Sequence, residues 1–278
     1  MPDPLSALRD LVAEGGVAVL SGAGLSTESG IPDYRGPTGA ARTYAPMTYQ
    51  TFTRDAAARR RYWARSHVGW QVIGRAAPNA GHQAVAALQR AGLVDAVLTQ
   101  NVDGLHQAAG ARDVVELHGN IDRVVCLGCG QTTPRGDLDQ RLRAANPTFA
   151  ALAAAVNPDG DADLDDAAVA VFRPVDCARC RSGVLKPDVV FFGESVPPER
   201  VDRCFAAVGA ARLLLVLGSS LTVMSGRRFV LRAAKLGIPV AIVNQGPTRG
   251  DAYATIKVDA PLGTALQALA HSLRSSVP

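Results

Sequence analysis

The chain has no apolar run long enough to cross a bilayer. Its longest, such as Leu213-Leu214-Leu215-Val216-Leu217, fall far short of the roughly 20 residues a spanning helix requires. It also lacks a broad basic tract. The formal net charge is +4 over 278 residues, and the cations are scattered apart from Arg59-Arg60-Arg61, so no nucleic-acid surface is indicated. No collagen-like period, solenoid repeat or heptad run is present, which excludes fibrous and repeat architectures. The first fourteen residues form a short amphipathic stretch carrying Asp3, Arg9, Asp10 and Glu14. They have neither the basic start and apolar middle of a secretory signal nor the acid-poor character of a transit peptide. A soluble, cytoplasmic protein without membrane or nucleic-acid partners is the expectation.

Cysteine is scarce, and its placing is informative. Of five cysteines, four form two Cys-x-x-Cys pairs, Cys126/Cys129 and Cys177/Cys180. Such pairs in an intracellular chain read as metal ligands or redox dithiols rather than structural disulfides. Two matched knuckles bring four thiolates to one tetrahedral Zn²⁺ and leave no open position, so the metal would be structural. Gly128, Gly130 and Gly183 suit the tight knuckle turns. Cys204 falls on a predicted helix and reads as a small buried hydrophobe.

Hydrophobic residues make up 47% of the chain, which excludes disorder and allows one large domain or two unequal ones. Short apolar runs at 17–20, 94–99, 212–217 and 239–243 each stop at Gly, Ser, Asn or Gln. Helical patterns at 82–91, 198–210, 227–236 and 262–273 lie among them. Strand, polar loop and helix in repetition predict an α/β chain: a Rossmann-like, doubly wound parallel sheet whose ligands collect at the carboxyl ends of the strands. Residues 42–75, helical over 54–70, and 121–186 break the alternation. They are expected to form a smaller domain, a helical module with a zinc-ribbon module. Residues 1–41, 76–120 and 187–278 would then form the Rossmann-like nucleotide-binding domain. Residues 157–166 read as an acidic loop.

Three groups carry candidate chemistry. Gly22-Ala23-Gly24-Leu25-Ser26-Thr27 follows the first strand. It is either a plain tight turn or a place where backbone N–H groups meet a pyrophosphate. The dehydrogenase fingerprint is absent, because Thr27 replaces its last glycine and Arg42-Thr43-Tyr44 stands where an acid would close the second strand. The long polar stretch from Glu28 to Gly36 could fold over a cofactor. Gln100-Asn101-Val102-Asp103 ends the second strand, and His118 follows between Leu117 and Gly119. A histidine there is either a satisfied core residue or a base that titrates near neutrality. His106 reads as structural, and nothing is assigned to His67 or His271. Lys186-Pro187-Asp188-Val189-Val190-Phe191-Phe192-Gly193-Glu194 is either a core strand or an edge that pairs with an extended peptide.

In this order, these motifs resemble the sirtuins, NAD-dependent protein-lysine deacylases. The likeness rests on Gly22–Ser26, Gly30-Ile31-Pro32-Asp33-Tyr34-Arg35, Gln100–Asp103, His118-Gly119, the four cysteines, Gly218-Ser219-Ser220 and Asn244-Gln245-Gly246. It runs from about residue 5 to 270 and is closest to a bacterial member of class II, the group that includes mitochondrial sirtuin 4. That placing rests on Arg61-Tyr62-Trp63-Ala64-Arg65, Val68-Gly69-Trp70, Thr133-Pro134-Arg135-Gly136, the acidic loop and Gly246-Pro247-Thr248-Arg249.

The resemblance implies roles. Gly22, Ala23, Gly24 and Ser26 would hold the NAD phosphates, with Asp33, Tyr34 and Arg35 in the cofactor loop. Asp33 and Asp103 would lie near the nicotinamide amide, and Gln100, Asn101 and Val102 at its ribose. Gly218, Ser219, Ser220, Asn244, Gln245, Gly246 and the backbone near Leu262 would take the adenosine half. His118 would be the general base, with Asn101 and Asp103 beside it. Val190, Phe191 and Gly193 would clamp an acylated lysine peptide. The implied reaction moves the acyl group from lysine to ADP-ribose, releasing nicotinamide and 2′-O-acyl-ADP-ribose. Mono-ADP-ribosyl transfer at the same site is the alternative, and a non-catalytic NAD-sensing module is the third. The Tyr-x-x-Arg pair of relatives selective for acidic acyl groups is missing after Gly36. Tyr62-x-x-Arg65 has the spacing but lies in the helical module, so succinyl preference is not implied.

Overall fold

The computed structural model describes residues 3–33, 46–147, 149, 164 and 166–274. Tyr34, Arg35, residues 42–44 and nearly all of the acidic loop lie outside the described residues.

Six parallel strands form the main sheet: β1 (Val17–Ser21), β2 (Val94–Thr99), β3 (Val115–Glu116), β7 (Leu213–Leu217), β8 (Val240–Val243) and β9 (Ile256–Val258). Their order across the sheet is β3-β2-β1-β7-β8-β9. The chain winds outward from β1 in both directions, so the β1–β7 boundary is the topological switch point where such sheets open a ligand crevice.

Alternate residues of the central strands feed two cores. Val17, Val19, Leu213, Leu215 and Leu217 pack with α1 (Pro4–Ala13), α4 (Ala80–Arg90) and α10 (Leu262–Arg274). Ala18, Leu20, Leu214 and Val216 pack with α8 (Pro198–Ala210) and α9 (Met224–Lys235). Burial on both faces is why these strands are continuous apolar runs. The two edge strands, β3 and β9, have two and three residues and carry too little pattern to be read from sequence.

A second sheet is antiparallel, in the order β5-β4-β6, from β4 (Gly119–Cys126), β5 (Thr132–Pro134) and β6 (Leu185–Val189). Around it lie α6 (Arg135–Ala145) and α7 (Asp166–Val171), and α5 (Leu105–Ala108) follows β2. The helix expected over 54–70 is α3 (Ala56–Ile73), and a short helix, α2 (Tyr49–Arg54), precedes it. Asp55 separates them: its Oδ1 accepts from the N–H groups of Ala57 and Ala58 at 2.8 and 3.1 Å, an N-cap that starts a new helix. The Trp63 indole N–H donates to Leu185 C=O at 3.1 Å and ties α3 to β6. No helix of the described residues is long and apolar enough to cross a membrane.

His67, without a partner visible in sequence, is buried on α3. Its Nδ1 lies 2.7 Å from Asp139 Oδ1, Arg143 Nε donates to Asp139 Oδ2 at 2.7 Å, and buried Arg135 is 3.9 Å from the same carboxylate. Burial, chiefly, holds the His67 imidazole below its ordinary pKa, and Asp139 works the other way. Removing one partner of such a buried cluster strands the rest. Asp139→Ala is therefore expected to destabilise the protein by about 3–5 kcal/mol in urea unfolding; a change within about 0.5 kcal/mol, the size of an ordinary surface substitution, would refute that account.

Candidate functional site

Two glycine turns meet at the switch point. Gly22 N–H donates to Leu217 C=O at 2.9 Å, and Gly24 N–H to Gly218 C=O at 2.8 Å. A Cβ at Gly22 would sit 2.7 Å from Ser219 Cβ, and one at Gly24 2.9 Å from Gly218 O. The turns after β1 and β7 therefore approach backbone to backbone, and only glycine permits it. Gly218 also holds φ +60°, a conformation natural to glycine. The helix start expected after Gly24 is instead a pair of single 3₁₀ turns, Ala23–Leu25 and Thr27–Ser29. Gly30 at φ +82° ends them.

A cavity of about 1180 Å³ opens over these turns. Its lining includes Gly22, Ala23, Gly24, Ser26, Asp33, Gln100, Asn101, Val102, Asp103, His118, Gly218, Ser219, Ser220, Asn244, Gln245 and Gly246. Val190, Phe191 and Gly193 line it as well. Motifs up to 224 positions apart in the chain, from Gly22 to Gly246, thus share one space. Leu262, the first residue of α10, is not among the lining residues, and its side chain is buried in the core. Sequence reasoning missed Ile31, Met47, Tyr62 and Ile73, which add apolar wall to the cavity. Nothing in their spacing separates them from ordinary core residues.

The polar cluster is arranged in advance. Asn101 Nδ2 donates to Gly22 C=O and to Ser26 Oγ, both at 3.0 Å. Ser26 Oγ donates to Asp103 Oδ2 at 2.7 Å, and Asp103 Oδ1 accepts from Leu105 N–H at 2.9 Å. Ser26 is thus a buried hub between Asn101 and Asp103. Beneath the cluster, His106 bonds Ser21 Oγ through Nε2 at 2.8 Å, and its ring meets that of His82 edge-on at 5.1 Å. Burial, then the neighbouring His82, pushes the His106 imidazole down to about 3. His106 is a neutral structural group.

His118 is braced at both ring nitrogens. Nδ1 lies 3.0 Å from Gln100 C=O, and Nε2 lies 2.9 Å from Ser225 Oγ. A carbonyl oxygen only accepts, so the neutral ring carries its proton on Nδ1 and leaves Nε2 unprotonated, an acceptor toward the Ser225 hydroxyl. Burial is the largest cause holding the His118 pKa below its ordinary value; the Gln100 bond opposes it, and the Arg200 and Arg228 guanidiniums reinforce it. The Gln100 side chain takes a bond from Ser219 Oγ at 2.8 Å.

Residues 189–194 run past His118 and are fastened along their length. Val190 N–H donates to His118 C=O at 2.8 Å, Tyr49 N–H to Phe192 C=O at 2.9 Å, and Gln50 Nε2 to Gly193 C=O at 3.0 Å. Lys186 is buried below: its Nζ lies 3.0 Å from Glu194 Oε2 and 4.6 Å from the Phe191 ring centroid. Glu194 Oε2 also accepts from Phe191 N–H at 2.8 Å. The run beginning at Lys186 is therefore a sheet strand as far as Val189 and cavity wall beyond it. Of the two alternatives, the strand describes residues 185–189, which pair with β4; Val190, Phe191 and Gly193 beyond it line the cavity.

The four cysteine sulfurs all lie within 4.8 Å of one another, with Cys126–Cys180 at 3.7 Å and Cys129–Cys177 at 3.8 Å. A tetrahedron with Zn–S bonds of about 2.3 Å has edges of about 3.8 Å. The donor set therefore fits one structural zinc and leaves it no open position. A Cβ at Gly183 would overlap the sulfurs of Cys126 and Cys180. Cys204 is a buried thiol of the helical layer, its pKa pushed up to about 12 by burial.

Residues 22–225 match the model of the Sir2 family. NAD-dependent protein deacetylase 1 of Streptomyces coelicolor is 62% identical over 269 residues, which cover 97% of this chain and 90% of that protein. NAD-dependent protein deacetylase 1 of Mycobacterium avium is 55% identical over 262 residues, 92% of this chain and 91% of that protein. Among solved structures, one described as "Sir2-p53 peptide-NAD+" superposes with a TM-score of 0.79 at 30% identity, covering 98% of this chain and 99% of that one. Another, from work on the mechanism and regulation of Sir2 enzymes, has a TM-score of 0.78 at 31% identity and covers 99% of each chain.

Two outcomes test the metal site. Purified protein should carry one Zn²⁺ per chain by elemental analysis, and a strong chelator should unfold it. Gly183→Ala should lose the metal; a metal-free protein that melts normally would refute the site.

Proposed function

The chain belongs to the Sir2 family, and we propose that it is an NAD-dependent protein-lysine deacylase of the deacetylase type. The portion built from residues 1–41, 76–120 and 187–278 would hold NAD, and the portion from residues 42–75 and 121–186 would cover it. The observation that carries this reading is His118, a neutral imidazole with an unprotonated Nε2, set in the same cavity as the Asn101–Ser26–Asp103 cluster and the paired glycine turns. The names and high identity of the bacterial deacetylases support it. The class II placing rests on sequence motifs alone: Arg61-Tyr62-Trp63-Ala64-Arg65, Val68-Gly69-Trp70, Thr133-Pro134-Arg135-Gly136, the acidic loop and Gly246-Pro247-Thr248-Arg249.

The residues present suit a dinucleotide. The glycine turns leave a crevice that side chains would fill, and backbone and hydroxyl groups surround it. Bound NAD would supply an electrophilic ribose carbon whose leaving group, nicotinamide, departs easily because its ring nitrogen is cationic while bonded. Gly22, Ala23, Gly24 and Ser26 would hold the phosphates. Asn101 and Asp103, fixed through Ser26, would orient the nicotinamide end, and Asn244, Gln245 and Gly246 the adenosine end. Residues 190–193 would hold the acyl-lysine peptide, with Phe191 and Tyr62 walling the acyl group. His118 Nε2 would take the proton of a ribose hydroxyl, and Gln100 C=O would keep the ring in the tautomer that can do so. The described cysteines are free of disulfides, in keeping with action in a reducing cytoplasm.

Incubation with NAD and a panel of acyl-lysine peptides, read by mass spectrometry, tests the reading. The expected result is NAD-dependent loss of the acyl group with one nicotinamide and one O-acyl-ADP-ribose per turnover. Labelled protein with intact peptide would favour ADP-ribosyl transfer instead. His118→Ala should lower turnover by about 10²–10⁴-fold with metal content unchanged. Because the His118 pKa is lowered, the neutral base persists to lower pH than for a free imidazole. The acid limb of kcat/KM should therefore fall below pH ~6.5; a limb above that value would contradict the assignment.

A further inference from the structure

Ser225 has no part in the chemistry above, yet it bonds the base. Its Oγ is 2.9 Å from His118 Nε2, and Nδ1 across the ring is 3.0 Å from Gln100 C=O. With the proton on Nδ1, the serine hydroxyl must be the donor to Nε2. Hydroxyl to imidazole to fixed acceptor is the bond sequence that activates a serine for acyl transfer.

The surroundings extend the likeness. Ser225 lies in the first turn of α9. Gly226 lets this turn lie against the catalytic strand end, since a Cβ there would fall 2.6 Å from the Gln100 side chain. Ser225 is 9% exposed, and both it and His118 line the cavity. The third group is a neutral carbonyl, not a carboxylate, and Arg200 and Arg228 disfavour a charged ring. Any acyl transfer here should therefore be slower than in a carboxylate-backed triad.

We propose that Ser225 is a nucleophile toward acyl esters in this cavity, its substrate class the O-acyl ribose ester that the proposed deacylation leaves there. The identity of the ester rests on that reading; the dyad does not. Ser225 Oγ attacks the ester carbonyl carbon as its proton passes to His118 Nε2. The acyl–oxygen bond to ribose breaks, and the ribose oxygen takes the proton back from Nε2. A water, deprotonated by His118, then cleaves the acyl-serine and restores the hydroxyl. The products are a free carboxylic acid and ADP-ribose, with no change of oxidation state.

The test of the dyad itself needs neither NAD nor peptide. The metal-loaded full chain is treated with a fluorophosphonate probe and mapped by mass spectrometry, and p-nitrophenyl acetate cleavage is followed in parallel. The expected label falls on Ser225 and is lost in Ser225→Ala and His118→Ala, whose metal content and melting show that they are folded. Ester cleavage should drop at least about 100-fold in both, and Ser225→Cys should trap an acetyl thioester. An unlabelled Ser225, or wild-type ester cleavage by Ser225→Ala, would overturn the dyad. If acyl-lysine peptides are still deacylated with NAD in that case, the dyad alone falls. If Ser225 is labelled but no acyl-lysine peptide reacts with NAD, the dyad stands and the ribose ester assignment falls with the deacylase reading.

Discussion

The bond between His118 Nδ1 and the Gln100 carbonyl decides what the histidine can do. It is 3.0 Å long and involves main chain on one side, so no substitution at residue 100 short of a backbone shift removes it. It settles the tautomer, and the tautomer settles that Nε2 is the nitrogen open to chemistry. The carbonyl is held where β2 ends: Gln100 N–H donates to Ser21 C=O at 2.9 Å, and the Gln100 side chain is braced by Ser219 and packed against Gly226. The end of β1, the turn after β7 and the start of α9 thus converge on one residue, Gln100.

The second sheet reaches the same residue from the other side. His118 C=O accepts from Val190 N–H, and β4 and β6 pair from Gly119 to Val189 and from Cys126 to Leu185. The strand that carries one cysteine of the metal cluster therefore begins beside the base. The cluster closes the far end of β4 and β6, and Lys186 with Glu194 fixes the segment that continues into the cavity. A closed tetrathiolate site contributes folding free energy, and here it does so at the far end of the strands that place the cavity wall.

Legibility in the sequence followed physical size and burial. The strands β1, β2, β7 and β8 were readable because burial on both faces demands unbroken apolar runs. The cysteine cluster was readable because knuckle spacing repeats, and the polar strand ends because a parallel sheet gathers its ligands there. Edge strands of two or three residues were not readable, nor was the short helix α2 that ends before Asp55, where a single carboxylate starts α3. The backbone contact of Gly22–Gly24 with Gly218 is a tertiary fact that only looks like two local turns. Ser225 was invisible for a different reason. A serine near the start of an amphipathic helix is unremarkable until the fold brings it to His118, 107 positions earlier. Ile31, Tyr62 and Ile73 likewise resemble core residues until a cavity is found between them.

The central claim is that His118 rests as a neutral imidazole protonated on Nδ1. Nitrogen-15 NMR of histidine-labelled protein, with His118→Ala to assign the resonance, measures this directly. At neutral pH the account predicts a protonated, pyrrole-type Nδ1 and an unprotonated, pyridine-type Nε2 for His118. A proton on Nε2, or a fully charged ring at that pH, would contradict it.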